Sequence, residues 1–290
     1  FVAMSGDPGW FKVPGDLGQR KLYVETWKPQ GISRGVSIFF HGVHESCDTL
    51  TCQRMGSAFA KAGVEFRAVE QYAHGRSVRE GELMGYVPNF EVLVADAKAV
   101  IEDCAVGCPD KPLFVAGHSM GGAVAAWACR ELGEDVRGRV TGVVLLAPAL
   151  GGSELPPTPV VWGLKLVHLF YPSAALGPPE HGEIYDTGSG LKLNYEGNMR
   201  LCTAKMFLDL HDKVAGQRGR GEIRLDFPVL WVHGAGDRAV SCAWGKDFFD
   251  QCCFGDKEFL RLVGRDHQPI CEDKWEEVLE SVVQWVRGRL

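Results

Sequence analysis

The stretch 113-LFVAGHSMGGAVAAWACRE-131 decides how the rest of the chain is read. Leu113–Ala116 is a short apolar run of the kind that forms a buried strand, and an alanine-rich helical run begins at Ser119. Between them Gly117-His118-Ser119-Met120-Gly121 fits G-x-S-x-G at a strand-to-helix junction. Glycines on both sides of the serine suit a turn so sharp that flanking side chains would collide with neighbouring backbone. Such a turn lifts the hydroxyl above the sheet edge, where the helix N-terminus favours developing negative charge. The plainer alternative is a packing turn with an incidental serine.

A serine hydroxyl is a weak nucleophile without a base, and the base needs an orienting acid. In a sheet of this kind the expected order is Ser, then Asp or Glu, then His, each just past a strand. "VLWVHGAGDRAV" (229–240) places Asp237 after one strand, and "FLRLVGRDHQPI" (259–270) places His267 after the next. Asp226 lies before its strand, at the wrong end, and Asp266, beside His267, is expected to point elsewhere. The predicted catalytic set is therefore Ser119, Asp237 and His267. A tetrahedral intermediate needs two N–H donors. Met120, after the nucleophile, and Val43, in "SIFFHGVHES" (37–46), are the expected pair. His41 reads as a loop-shaping residue, whereas His44 could face the pocket.

Working outward, strand patterns fall at residues 22–27, 36–40, 66–69, 113–116, 143–147, 229–233 and 259–263. Helical patterns fall between them at 52–62, 90–104 and 119–132, and an amphipathic helix closes the chain over 273–290. Asp273 and Glu276 fit a capping pattern at its start. Short apolar strands separated by helices predict a mostly parallel sheet covered on both faces. The rhythm breaks over 151–222, which holds "GGSELPPTPV" and "YPSAALGPPEHGEIYDTGSG". The predicted organisation is a core from 1–150 and 223–290 with an inserted cap over 151–222. Within the insertion, Val160–Tyr171 is apolar on nearly every side, apart from Lys165 and His168. It suits either a cap helix lining a greasy tunnel or a buried core helix.

Composition narrows the function classes. The 290 residues are 46 % hydrophobic and 23 % charged, an ordinary globular balance for one large α/β domain. The net charge is −6 and the basic residues are scattered, which argues against a nucleic-acid role. Ten cysteines include the pairs Cys47/Cys52, Cys104/Cys108 and Cys252-Cys253, but no paired CxxC metal pattern. With no Asn-x-Ser/Thr sequon, free thiols in a reducing compartment are expected. No run approaches the ~20 apolar residues that span a bilayer. The chain begins at Phe1 rather than Met, so an upstream segment, such as a targeting peptide, is expected to have been removed.

With these residues assembled, the sequence resembles the monoacylglycerol lipase and lysophospholipase group of α/β-hydrolases from about Leu22 to Trp285. "GHSMGGAVA", "FFHGVHES", "VVLLAPAL", "LWVHGAGDRAV" and a late "DH" carry the resemblance. It implies an α/β-hydrolase fold with an inserted cap and an acyl-enzyme mechanism on an apolar acyl ester. It also implies the same triad, with Val43 and Met120 as the oxyanion hole. Glu45 fits a family glutamate and Tyr195 a cap tyrosine, so with His44 they are candidate substrate contacts. The substrate end departs from the family. His44 stands for a usual glycine, Thr49-Leu50 for an arginine-tyrosine pair, Ile270 for a second histidine, and Ala73-His74-Gly75 for Gly-His-Gly.

The implied partner is a small lipid or ester, with no metal or organic cofactor and no nucleic acid. Peripheral membrane contact through Trp162, Leu166, Leu169 and Phe170 is one expectation, and burial of these residues beneath the cap is the preferred one. A non-catalytic binding or assembly subunit, or an acyltransferase using the same triad, are the alternative functions.

Overall fold

The structure is a computed structural model, and it describes residues 9–14, 20–150, 157–175 and 187–290. Its strands in chain order are β1 (Trp10–Lys12), β2 (Lys21–Trp27), β3 (Gly35–Phe40), β4 (Val64–Val69), β5 (Leu113–His118), β6 (Val140–Leu146), β7 (Val229–Gly234) and β8 (Lys257–Leu262). They form one eight-stranded sheet in the order β1-β2-β4-β3-β5-β6-β7-β8. The β1–β2 and β2–β4 pairs are antiparallel, and every pair from β4 to β8 is parallel. The helices are α1 (Leu50–Lys61), α2 (Phe90–Gly107), α3 (Met120–Glu131), α4 (Glu134–Arg137), α5 (Thr158–Phe170), α6 (Leu201–Gly219), α7 (Cys242–Cys252) and α8 (Trp275–Arg287).

Parallel strands covered on both faces must be apolar throughout. β3, β5 and β7 are buried at every position. Side chains alternate across each strand, so Val36, Ile38 and Phe40 of β3 join one core with α2, α3 and α7. Phe39 joins the second core with α1 and α8. This double cover holds the C-terminal ends of β3, β5, β7 and β8 along one edge, and the loops leaving that edge carry the predicted site.

Four elements differ from the sequence reading. Strand β1 and helices α4, α6 and α7 lie outside the predicted patterns. Helix α6 buries Leu201, Cys202 and Thr203 in its first turn and beyond it only the narrow stripe Met206, Leu210 and Val214, which enters the main core beside α2 and α7. The Asp273/Glu276 cap does not form. Lys274 precedes α8 in the left-handed region at φ 53°, with no side-chain cap. Glu272 instead accepts from the Asp266 N–H at 2.7 Å and the Gln268 N–H at 2.9 Å, which commits the preceding chain to a tight loop.

Helix α5 is a further correction. None of its residues is buried, and Trp162, Leu166, Leu169 and Phe170 are 71, 60, 71 and 71 % exposed. Neither the buried core helix nor burial beneath a cap describes it. Among the described residues α5 packs mainly on α6, which leaves much of its apolar surface open to solvent. Parts of the predicted cap, residues 151–156 and 176–186, lie outside the described residues.

Candidate active site

Ser119 sits between β5 and α3 at φ 52°, a left-handed conformation that costs a non-glycine residue about 1–3 kcal/mol. Its backbone is held from several sides. The Ser119 N–H donates to the Leu146 carbonyl at 2.9 Å, and the Ser119 carbonyl accepts from Gly122 at 3.0 Å and Ala149 at 2.9 Å. The flanking glycines are sterically required. A Cβ on Gly121 would stand 2.1 Å from the Phe40 carbonyl oxygen, and one on Gly117 would stand 2.2 Å from the Gly121 oxygen.

The three predicted catalytic side chains meet. His267 Nε2 lies 2.9 Å from Ser119 Oγ, and His267 Nδ1 lies 2.7 Å from Asp237 Oδ2. The rival carboxylates are elsewhere: Asp266 pairs with Arg238 at 3.0 Å, and Asp226 pairs with Arg224 at 3.3 Å. An ionised Asp237 accepts the Nδ1–H, which leaves the Nε2 lone pair for the serine proton. Burial works against the Asp237 charge, but donors from His233 and His267 and the Val240 N–H hold its carboxyl well below the usual range.

His233 is a member of this cluster that sequence reasoning missed. Indole nitrogen can only donate, so the Trp231 Nε1–H at 3.1 Å leaves His233 Nδ1 without a proton. The His233 Nε2–H then points at Asp237 Oδ2 at 3.1 Å and the Val240 carbonyl at 3.0 Å. The Ala239 and Val240 N–H groups occupy the other Asp237 oxygen at 2.9 and 2.8 Å. A strand-end histidine four residues before an aspartate is the only sequence signal for this role.

A second buried network joins the three loops beneath the site. Glu45 Oε2 accepts the Gly42 N–H at 2.8 Å, and Oε1 accepts from Gln268 Nε2 at 2.9 Å. Oε1 also lies 3.1 Å from His118 Nδ1. His118 Nε2 in turn donates to the His267 carbonyl at 3.0 Å. Burial opposes both charges. The His118 imidazolium and the Gln268 amide nevertheless hold Glu45 down at about 2, and Glu45 raises His118 above its ordinary value. Glu45, a candidate substrate contact by sequence, thus has both oxygens engaged by protein donors.

His41 is a shaped loop residue. Its Nδ1–H donates to the Gly42 carbonyl at 2.8 Å and its Nε2 accepts the Gln71 N–H at 3.2 Å, while burial lowers its basicity. Val43 follows this loop, and Met120 is the first residue of α3, where an N–H has no intrahelical acceptor. His44 holds a left-handed conformation at φ 65°. Its carbonyl accepts the Tyr195 N–H at 2.9 Å, and the two rings meet edge to face at 4.8 Å. Tyr195 Oη donates to the Asn198 carbonyl at 3.1 Å. Ile270 is fully buried in the α1/α8 core. Among the described residues, no group of three or more His, Cys, Asp or Glu is arranged to hold a metal ion.

This arrangement can activate a hydroxyl and hold its proton. The family described as serine aminopeptidase, S33 (Hydrolase_4) matches residues 31–274. Monoglyceride lipase of Rattus norvegicus is 26 % identical over 277 residues, covering 93 % of this chain and 88 % of that protein. Monoacylglycerol lipase of Mycolicibacterium smegmatis is 24 % identical over 284 residues, covering 94 % and 95 %. Among solved structures, a soluble variant of monoglyceride lipase from Saccharomyces cerevisiae, in complex with a substrate analog, superposes with a TM-score of 0.76. It is 20 % identical, and the match covers 97 % of this chain and 94 % of that one.

Proposed function

The chain belongs to the serine aminopeptidase S33 (Hydrolase_4) family of α/β-hydrolases, and from that premise we propose that it is a serine ester hydrolase acting on monoacylglycerol-like esters through Ser119, His267 and Asp237. The observation that carries this reading is the hydrogen-bonded line from Ser119 Oγ through His267 to Asp237, at 2.9 and 2.7 Å. Ser119 Oγ attacks the ester carbonyl as His267 Nε2 takes its proton. The N–H groups of Val43 and Met120 hold the oxyanion, a contribution typically worth about 3–4 kcal/mol per donor. His267 returns the proton to the leaving alcohol, then activates the water that releases the acid. Asp237 stays ionised throughout and stabilises the imidazolium.

His44 and Tyr195 shape the alcohol end of this site, because the ring of one closes against the other beside the Val43 loop. Helix α5, which packs against α6, serves as part of the lid of the acyl site. The exposed Trp162, Leu166, Leu169 and Phe170 give that lid an apolar face able to rest on a lipid surface. All ten cysteines are free thiols, which fits a reducing compartment. No helix among the described residues is long and apolar enough to cross a membrane.

A fluorophosphonate probe followed by intact-mass spectrometry tests the nucleophile. One adduct on the parent and none on Ser119→Ala is expected, with turnover of monoacylglycerols by the parent alone. A folded parent that takes no adduct overturns the enzyme reading in favour of a binding or assembly role. Flotation with phosphatidylcholine vesicles tests the lid separately. The parent is expected to float and the Trp162→Ser/Phe170→Ser variant to remain below, while equal behaviour of the two refutes the membrane contact.

A further inference from the structure

Two of the ten cysteines lie in surroundings unlike those of the rest. Cys104 is in the last turn of α2 and is 2 % exposed, while Cys108 is the half-buried residue that ends the helix. The Cys108 N–H donates to the Cys104 carbonyl at 3.0 Å, so both side chains leave the same face of the helix end. One guanidinium spans them: Arg67 Nη1 is 3.6 Å from Cys104 Sγ, and Nη2 is 3.8 Å from Cys108 Sγ. Two sulfurs facing two nitrogens of one guanidinium are neighbours. Glu65 anchors the same guanidinium at 2.6 Å.

This setting separates the two thiols chemically. The neighbouring Cys108 thiol and burial both keep Cys104 protonated. Cys108, beside the Cys104 thiol and near Arg67 and Lys111, is shifted toward its thiolate despite its partial burial. The carbonyl end of a helix ordinarily disfavours an anion. Here Arg139 covers that end, donating to the Ala105 carbonyl and, at 2.9 Å, to the Cys108 carbonyl. The other half-exposed cysteine, Cys271, is the opposite case, with burial pushing it up to about 11.

We propose that Cys104 and Cys108 form an oxidant-modified thiol pair, with Cys108 reacting first with a hydroperoxide and Cys104 resolving the product to a disulfide. The Cys108 thiolate attacks a peroxide oxygen and breaks the O–O bond, giving a sulfenic acid and, after protonation, one water. The Cys104 sulfur then attacks the sulfenic sulfur, which expels a second water and forms the S–S bond. In sum, two thiols and one hydrogen peroxide yield one disulfide and two waters. Cys108 lies just past the regular helix, at φ −133°.

The test uses the whole chain, reduced, freed of reductant and treated with hydrogen peroxide before alkylation by N-ethylmaleimide. Cleavage after Asp103 and Asp110 places both cysteines on one peptide with no other cysteine. The expected result is a 104–110 peptide about 2 Da light that takes no maleimide, reverting on reduction. Cys104→Ser is expected to leave a sulfenic acid on Cys108 that dimedone traps, whereas Cys108→Ser leaves no adduct on Cys104. Without oxidant, Cys108 is expected to alkylate at least about tenfold faster than Cys271 at neutral pH, an advantage that Arg67→Gln reduces. Equal alkylation of Cys108 and Cys271, or a dimedone adduct on Cys104 rather than Cys108, overturns the proposal.

Discussion

Replacing Glu45 by glutamine removes one charge from a buried junction that ties three loops together. In the parent, its two oxygens accept from the Gly42 N–H and the Gln268 amide, and one of them faces His118 at 3.1 Å. The carboxyl is fully buried and lies at about 2, against 4.5 for a free glutamate. That difference corresponds to about 3 kcal/mol of stability once the group is ionised. Glutamine keeps the shape but turns one acceptor into a donor opposite groups that themselves donate, and it leaves His118 without a counter-charge. The expected loss at pH 6 is about 3 kcal/mol, within the usual range for breaking a buried pair.

The sign with pH follows from the two shifts. Glu45 lies below its unfolded value, so its contribution is complete above about 4.5 and disappears as pH falls toward 2. His118 lies above its unfolded value, so its contribution is present below about 6.5 and is lost as pH rises through the raised folded value. Urea denaturation of parent and Glu45→Gln at pH 6, 4.5 and 3 is therefore expected to give a large gap that narrows with acid. A gap below about 1 kcal/mol at pH 6, or one that widens toward pH 3, refutes the argument. A lowered kcat at full substrate is expected too, because Gly42 precedes Val43 and Gln268 follows His267.

Three further outcomes follow from the same geometry. Gly121→Ala, ordinarily worth up to about 1 kcal/mol of gain inside a helix, is expected to destabilise by about 3 kcal/mol or to prevent folding, read by thermal melting; its Cβ would meet the Phe40 oxygen at 2.1 Å. Asp237→Asn is expected to lower kcat by roughly 10³–10⁴-fold in an ester assay with the fold retained, because an amide cannot fix the His267 tautomer as a carboxylate does. His44→Gly relieves a left-handed residue and removes the ring that closes on Tyr195. It is expected to lower KM for esters of bulky alcohols more than for methyl esters, and an equal change across such a series would count against a role at the alcohol end.

The strands and the elbow were readable from the chain because both are local. β3, β5 and β7 are apolar runs bounded by glycine, and the G-x-S-x-G turn needs its glycines for contacts made within a few residues or with the adjacent strand. The order Ser119, Asp237, His267 was equally readable, since each residue follows its own strand. Helix α6 is hard to read because beyond its first turn it buries only a narrow stripe, and the Asp273/Glu276 pattern misleads because Glu272 holds the preceding turn.

What pairs across the sheet required the folded chain. Strand order already favours Asp237 over Asp266, but only the fold shows that His233 also holds Asp237 and that Arg238 takes Asp266. Glu45 could be read as a substrate contact until His118 and Gln268, 73 and 223 residues away, closed around its carboxylate. Helix α5 carries the same apolar pattern whether covered or bare, so its exposure belongs to the tertiary structure alone. Local sequence sets backbone preference and apolar periodicity, whereas partnership and burial depend on residues that become neighbours only when distant strands align.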